Sequence, residues 1–142
     1  MGIERPPQAL VDDELTVRRY DVGDTTDAER LDAAIRTSIE HLLPFMPWAA
    51  LEPLELRERV ELLAAWDREW EAGIYFGYGM FIDDELVGSC GLHPRIGPSG
   101  IEIGYWVRAD RTGRGIATRA ARLLTNAAFT LDRIDHVEIR RR

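Results

Sequence analysis

The fold class predicted by this sequence is a mixed α/β (α+β) domain with elements in the order β-α-α-β-β-β-α-β. Three observations carry that reading. First, Ile101-Glu102-Ile103-Gly104-Tyr105-Trp106-Val107 alternates and is β-branched, then gives way to a Gly- and Arg-rich loop and an Ala- and Leu-rich helix. Second, two earlier stretches place apolar residues at helical spacing. Third, three strand-type runs follow one another with only short turns between them.

Residues 1–11 contain Pro6 and Pro7 and read as a loose leader. Leu15 to Tyr20 alternates and forms the first strand. Asp24-Thr25-Thr26-Asp27 offers caps for a helix to about Glu40, with Leu31, Ile35, Ser38 or Ile39, and Leu42 on one face. Pro44 and Pro47 end it. A second helix runs from about Leu54 to Glu71, with Leu56, Val60, Leu63, Trp66 or Asp67, and Trp70 on its buried face. Tyr75 to Ile82 and Leu86 to Arg95 are strands joined at Asp83-Asp84, a hairpin signal without the usual glycine. Gly97-Pro98-Ser99-Gly100 turns the chain into the strand Ile101 to Arg108. The last helix, Ala117 to Leu131, carries an apolar stripe of Ile116, Ala120, Leu123 or Leu124, Ala127 and Leu131. His136 to Arg140 is the final strand. With no repeat or linker, residues 1–142 form a single domain.

At 142 residues and 45% hydrophobic content the chain can bury a core. It contains no apolar run long enough to span a bilayer and no signal-peptide pattern, so no membrane association is expected. Its single cysteine, Cys90, excludes an intrachain disulfide, suggests the cytoplasm, and reads as a packing residue in an apolar strand. No metal site is read. Charge is uneven: residues 1–104 hold 9 Arg against 21 Asp and Glu, residues 105–142 hold 9 Arg against 4. Arg108, Arg111, Arg114, Arg119 and Arg122 could steer a polyanion, and the acidic remainder suits a cationic substrate. A pI near 5.0 argues against nucleic acid.

A strand, a glycine loop and a helix N-terminus together make an anion cradle, because free backbone N–H groups and the helix dipole converge there. Here the loop is Arg111-Thr112-Gly113-Arg114-Gly115-Ile116-Ala117-Thr118. An ordinary strand-to-helix turn with two glycines is the plain alternative. A dinucleotide fingerprint fits poorly, since Thr118 stands where its third glycine should be, and a P-loop fails because the chain has no lysine.

Thr112-Gly113-Arg114-Gly115-Ile116-Ala117 resembles the Q/R-x-x-G-x-G/A acyl-CoA loop of the GNAT N-acetyltransferase superfamily. Glu102-Ile103-Gly104-Tyr105-Trp106 is similar to the strand leading into that loop in the RimJ/RimL-type branch. His41 to Ala49 and Asp84 to His93 resemble that branch's substrate-side segment and central hairpin strand. Thr112 departs from the superfamily's Gln or Arg. The resemblance implies a mixed, mostly antiparallel sheet with flanking helices, and acetyl-CoA as co-substrate.

It further implies that the strand before the loop and the final strand splay apart around the pantetheine arm. Contacts would come from the main chain of Trp106, Val107 and Arg108, the N–H groups of Gly113, Arg114, Gly115, Ile116 and Ala117, and the Thr118 hydroxyl. A neutral amine would attack the thioester directly, so the protein must orient both reactants, stabilise an oxyanion and remove a proton. An N–H near Val107 is the candidate oxyanion donor. Glu102 is the leading candidate base, directly or through a water. Flanked by Ile101, Ile103 and Trp106, it is expected to have a pKa raised toward neutrality. The alternative is a solvent-facing strand residue. His93 is the second candidate base, or else a structural histidine at a strand end. His41 and Trp48 border the substrate entrance by resemblance, the alternative being packing at a helix end.

The resembling family continues beyond the strand matching His136 to Arg140, with a helix and further strands that supply a general acid and one wall of the amine site. No residue of this sequence matches those parts. The expected function is acetyl transfer to a primary amine, either a protein N-terminal α-amine or a small amine, and a homodimer is compatible with it. The alternative function is an acyl-CoA-binding or dimerisation module with weak or no turnover.

Overall fold

The structure is a computed structural model and describes residues 4–44, 46–112 and 115–141. Six strands form one sheet: β1 (Ala9–Asp12), β2 (Leu15–Arg19), β3 (Phe76–Ile82), β4 (Glu85–His93), β5 (Gly100–Val107) and β6 (His136–Arg141). They lie side by side in chain order, antiparallel throughout except for the parallel β5–β6 pair. Three helices accompany them: α1 (Thr26–Leu42), α2 (Leu56–Ala72) and α3 (Ile116–Ala128).

The expected order holds with one addition at the start. Ala9–Asp12, read as part of a loose leader, pairs with β2 from Ala9↔Arg18 to Asp12↔Leu15. Asp13, with φ 56°, closes this hairpin, a left-handed conformation that Asp tolerates. The preceding residues are tied down too. Tyr78 donates its hydroxyl to the Pro7 carbonyl at 2.7 Å, and the Asp132 N–H donates to the Glu4 carboxylate at 2.8 Å.

Asp83 and Asp84 both take positive φ (51° and 62°), the geometry a two-residue hairpin turn needs, and they supply it without glycine. The start of α1 is held by the Asp24 carboxylate, which accepts the Thr26 N–H at 2.9 Å. α2 opens on a Glu55–Glu58 capping box and stops at Gly73, where φ is 72°.

Alternation along β3, β4 and β5 sorts the sheet into two unlike faces. Phe76, Tyr78, Met80, Cys90, Leu92, Ile101 and Ile103 pack with Ile116, Ala120, Leu124 and Ala128 of α3 into the main core. The other face carries Gly77, Gly79, Ser89, Gly91 and Gly104 in register. Aromatic rings use the space this leaves: a Cβ at Gly77 would come within 2.9 Å of the Tyr75 ring, and one at Gly91 would overlap it. α1 and α2 cover this face through Leu31, Ala34, Ile35 and Leu63. Most of the expected stripe on α2 faces inward: Leu63 and Trp70 are buried and Val60 and Trp66 pack against this layer, while Leu56 is exposed and Arg59 is buried in addition.

Among the described residues, no helix is long and apolar enough to cross a membrane.

Candidate active site

A cavity of about 580 Å³ lies between the small-residue face of the sheet and the α1–α2 layer. Leu31, Ile35, Leu54, Leu62 and Trp66 make an apolar wall. The segment Met46–Leu51, mostly a 3-10 helix, forms another side. Trp48 lines the cavity and packs on Trp106 of β5 at 6.1 Å between ring centroids. His41, expected beside Trp48, is exposed near the end of α1 and is not among the lining residues.

Glu102 and His93 are cross-strand partners in the β4–β5 ladder, and both reach this cavity. Neither matches its simplest expectation. The Glu102 side chain is 8% exposed, so it is not a solvent-facing strand residue. Burial alone would raise its pKa, but Arg95 and Arg140 outweigh burial and hold it below the ordinary carboxylate value. The expected raised pKa is therefore corrected. Arg95 donates both Nε (3.1 Å) and Nη2 to Oε1, and Arg140 Nε lies 3.3 Å from Oε2. Ile101 and Ile103, the neighbours that suggested an apolar setting, point into the opposite core.

His93 is half-buried and stacked on Tyr75 at 4.2 Å. Burial, aided by the Arg95 charge, lowers its pKa to about 4, so it is neutral at pH 7. Tyr75 itself lines the cavity, and burial pushes its phenol pKa up.

Sequence reasoning missed several lining groups. Arg59 is 1% exposed and pairs with Glu52, 3% exposed, and with Asp32 at 3.4 Å. Glu69 lines the cavity and makes no ion pair among the described residues. Ser89 bonds the Tyr20 hydroxyl at 2.7 Å. No local signal places Arg59 or Arg140 at the cavity, because Asp32 and Glu102, which pair with them, come from α1 and β5. Cys90 is buried, and burial raises its thiol pKa, in keeping with a packing role.

The expected anion cradle sits at the far end of β5. Gly115 has φ 72°, and a Cβ there would meet nothing within 4 Å, so the glycine is required by backbone conformation and not by crowding. No side chain caps α3, which leaves the Ile116, Ala117 and Thr118 N–H groups without helical acceptors; the Arg119 N–H is the first to find one, at Gly115 O. Gly113 and Arg114 lie outside the described residues. Three of the steering arginines are internally paired: Arg108 with Glu85 and Asp110, Arg111 with Glu85, and Arg119 with Asp12 and Glu14.

The expected splay between the two strands is not seen among the described residues. β5 and β6 stay paired from Gly100↔His136 to Tyr105↔Arg141. Trp106 and Val107 lie past the last pair among the described residues.

The acetyltransferase (GNAT) domain family matches residues 14–141. Solved structures share the fold. One described as "Probable acetyltransferase" is 28% identical over 83% of this chain, with TM-score 0.73. The microcin C7 self-immunity acetyltransferase MccE, in complex with acetyl-CoA and AMP, is 19% identical over 90% of the chain, with TM-score 0.80. Mycobacterium smegmatis RimJ, in complex with CoA-disulfide, is 23% identical over 97%, with TM-score 0.73. The chain spans 64%, 69% and 65% of these proteins' own lengths, respectively. No curated protein matches it in sequence.

Proposed function

The chain belongs to the acetyltransferase (GNAT) domain family, and from that premise we propose that it moves an acetyl group from acetyl-CoA to a primary amine held in the cavity. One observation carries the reading: a single strand links the cavity to the start of α3. β5 lends Glu102, Gly104 and Trp106 to the cavity wall, then runs on toward the uncapped start of α3.

The residues suit the cofactor. The N–H groups of Ile116 and Ala117 and the Thr118 hydroxyl face the pyrophosphate, with Gly113, Arg114 and Gly115 completing the loop. The main chain of Trp106, Val107 and Arg108 takes the pantetheine arm, and the N–H near Val107 is the oxyanion donor. When bound, acetyl-CoA would supply an activated thioester to the amine nitrogen, its sulfur leaving as the CoA thiolate. Glu102 accepts the proton the nitrogen loses, directly or through a water. Neutral His93 orients the amine, Trp48 borders its entrance, and the Glu69 carboxylate, which makes no ion pair among the described residues, favours a cationic approach. The acceptor is a small amine or a protein N-terminal α-amine.

The test is acetyl-CoA-dependent thiol release over a panel of primary amines, with wild type and Glu102→Gln. Turnover should fall about 100-fold or more in the variant, the scale of a lost general base, with acetyl-CoA affinity unchanged. Equal turnover removes Glu102 from the role. Bound acetyl-CoA with no thiol release from any amine would favour a binding module without turnover.

A further inference from the structure

Resting on that acetyl-transfer reading, we propose that the acceptor is a small zwitterionic amine with an apolar body, whose own oxyanion, a carboxylate or phosphate, takes Arg95 and Arg140 away from Glu102. The observations lie at one end of the cavity. Both oxygens of Glu102 are engaged, Oε1 by Arg95 and Oε2 by Arg140. A carboxylate clamped by two guanidiniums is a poor place for a proton, yet it is the carboxylate next to the proposed reaction centre. The clamp is built to open. Glu102 is buried, but Arg95 is 59% exposed and Arg140 49% exposed, and both line the cavity. Their guanidiniums can therefore turn to an incoming anion at little cost in packing.

Charge counting decides what kind of anion. Two guanidiniums, Arg95 and Arg140, stand with two carboxylates, Glu102 and Glu138, the latter 3.2 Å from Arg140. His93, the other titratable group facing Glu102, is neutral at pH 7. A plain anion would take the arginines and leave buried Glu102 unpaired, and a plain ammonium would find both Glu102 oxygens already held. A zwitterion adds nothing: its oxyanion pairs with the arginines and its ammonium with the released Glu102. The rest of the ligand would meet Leu31, Ile35, Leu62 and Trp66. A volume of about 580 Å³ is that of a small-molecule site.

The experiment measures binding and thiol release side by side, on matched pairs of amines in the presence of CoA or acetyl-CoA. The pairs are L-leucine with L-leucinamide, L-phenylalanine with L-phenylalaninamide, and O-phosphoethanolamine with ethanolamine. The anionic member of at least one pair should bind wild type about tenfold tighter, the scale of one charge-assisted hydrogen-bonded contact. The amino-acid pairs report a carboxylate site and the third pair a phosphate site. Arg95→Ala/Arg140→Ala should abolish the difference. Glu102→Gln frees both arginines and takes the ammonium's partner from both members of a pair alike, so it should widen the preference for the anionic member by about the same factor and keeps the test decisive if the double variant does not fold. Equal affinities within every pair, no binding by either member, or a preference that survives loss of both arginines would overturn the proposal. Discrimination in binding with no thiol release would instead sink the acetyl-transfer reading and leave the anion site standing. Thiol release at equal rates from charged and neutral members would do the reverse.

Discussion

His93 lies against Tyr75 with ring centroids 4.2 Å apart and planes 29° from parallel. The stack is floored by Gly77 and Gly91, and it holds the imidazole half-buried at the cavity edge. Burial favours the neutral ring, so NMR titration should find the His93 pKa near 4, against the ordinary 6.5. The sign for stability follows from proton counting. Between pH 6.5 and 4 the unfolded chain binds a proton at this site that the folded chain does not, so His93 contributes stability above pH 6.5 that is lost as pH falls toward 4. Tyr75→Leu opens the ring to water and should move the pKa back up. A value that stays near 4 in the variant would mean the stack is not the cause.

Gly91→Ala places a methyl group where the Tyr75 ring lies. Tyr75 is anchored between Trp66 and His93, so it has little room to yield. The substitution should cost about 1–3 kcal/mol, as overpacking does, read from urea denaturation midpoints. It should also raise the His93 pKa by unseating the stack. Gly104→Ala is the contrast, because a Cβ there meets nothing within 4 Å.

Arg59 and Glu52 form a buried pair on the cavity wall. Removing one partner leaves the other charged and dry. Arg59→Met alone should destabilise by about 3–5 kcal/mol. Glu52→Gln combined with Arg59→Met should recover part of that loss, and a double-mutant cycle in thermal or urea unfolding measures the coupling. Strict additivity would show that the two side chains do not depend on each other.

Gly115 precedes α3 with φ 72°. Gly115→Ala should cost about 1–2 kcal/mol from backbone strain alone, since an L side chain disfavours that region. No clash adds to it, because nothing lies within 4 Å of the new methyl. A loss far larger than this in equilibrium unfolding would mean that the loop packs differently.

The strand–loop–helix of residues 100–128 was legible because its signals are local: alternation, glycines and an apolar stripe ending in buried Ile116, Ala120 and Leu124. The Asp83-Asp84 turn was legible for the same reason. β1 was not, because two prolines just before it resemble a leader and its partner residues lie beyond a turn at Asp13. Arg59 could not be placed inside from sequence, since its burial depends on Glu52 and Asp32 brought in by folding. Glu102 shows the same limit most clearly. Its neighbours in sequence are isoleucines that face the opposite core, while its neighbours in space are arginines from just past β4 and from β6. A pKa argument from sequence sees the first and not the second.

Calorimetric titration of the folded chain with acetyl-CoA, beside a Gly115→Glu variant, tests the central claim most directly. The account predicts micromolar binding by wild type and its loss in the variant, where a carboxylate enters the anion cradle. A folded wild-type chain that does not bind acetyl-CoA, or a variant that binds it equally well, would contradict the account.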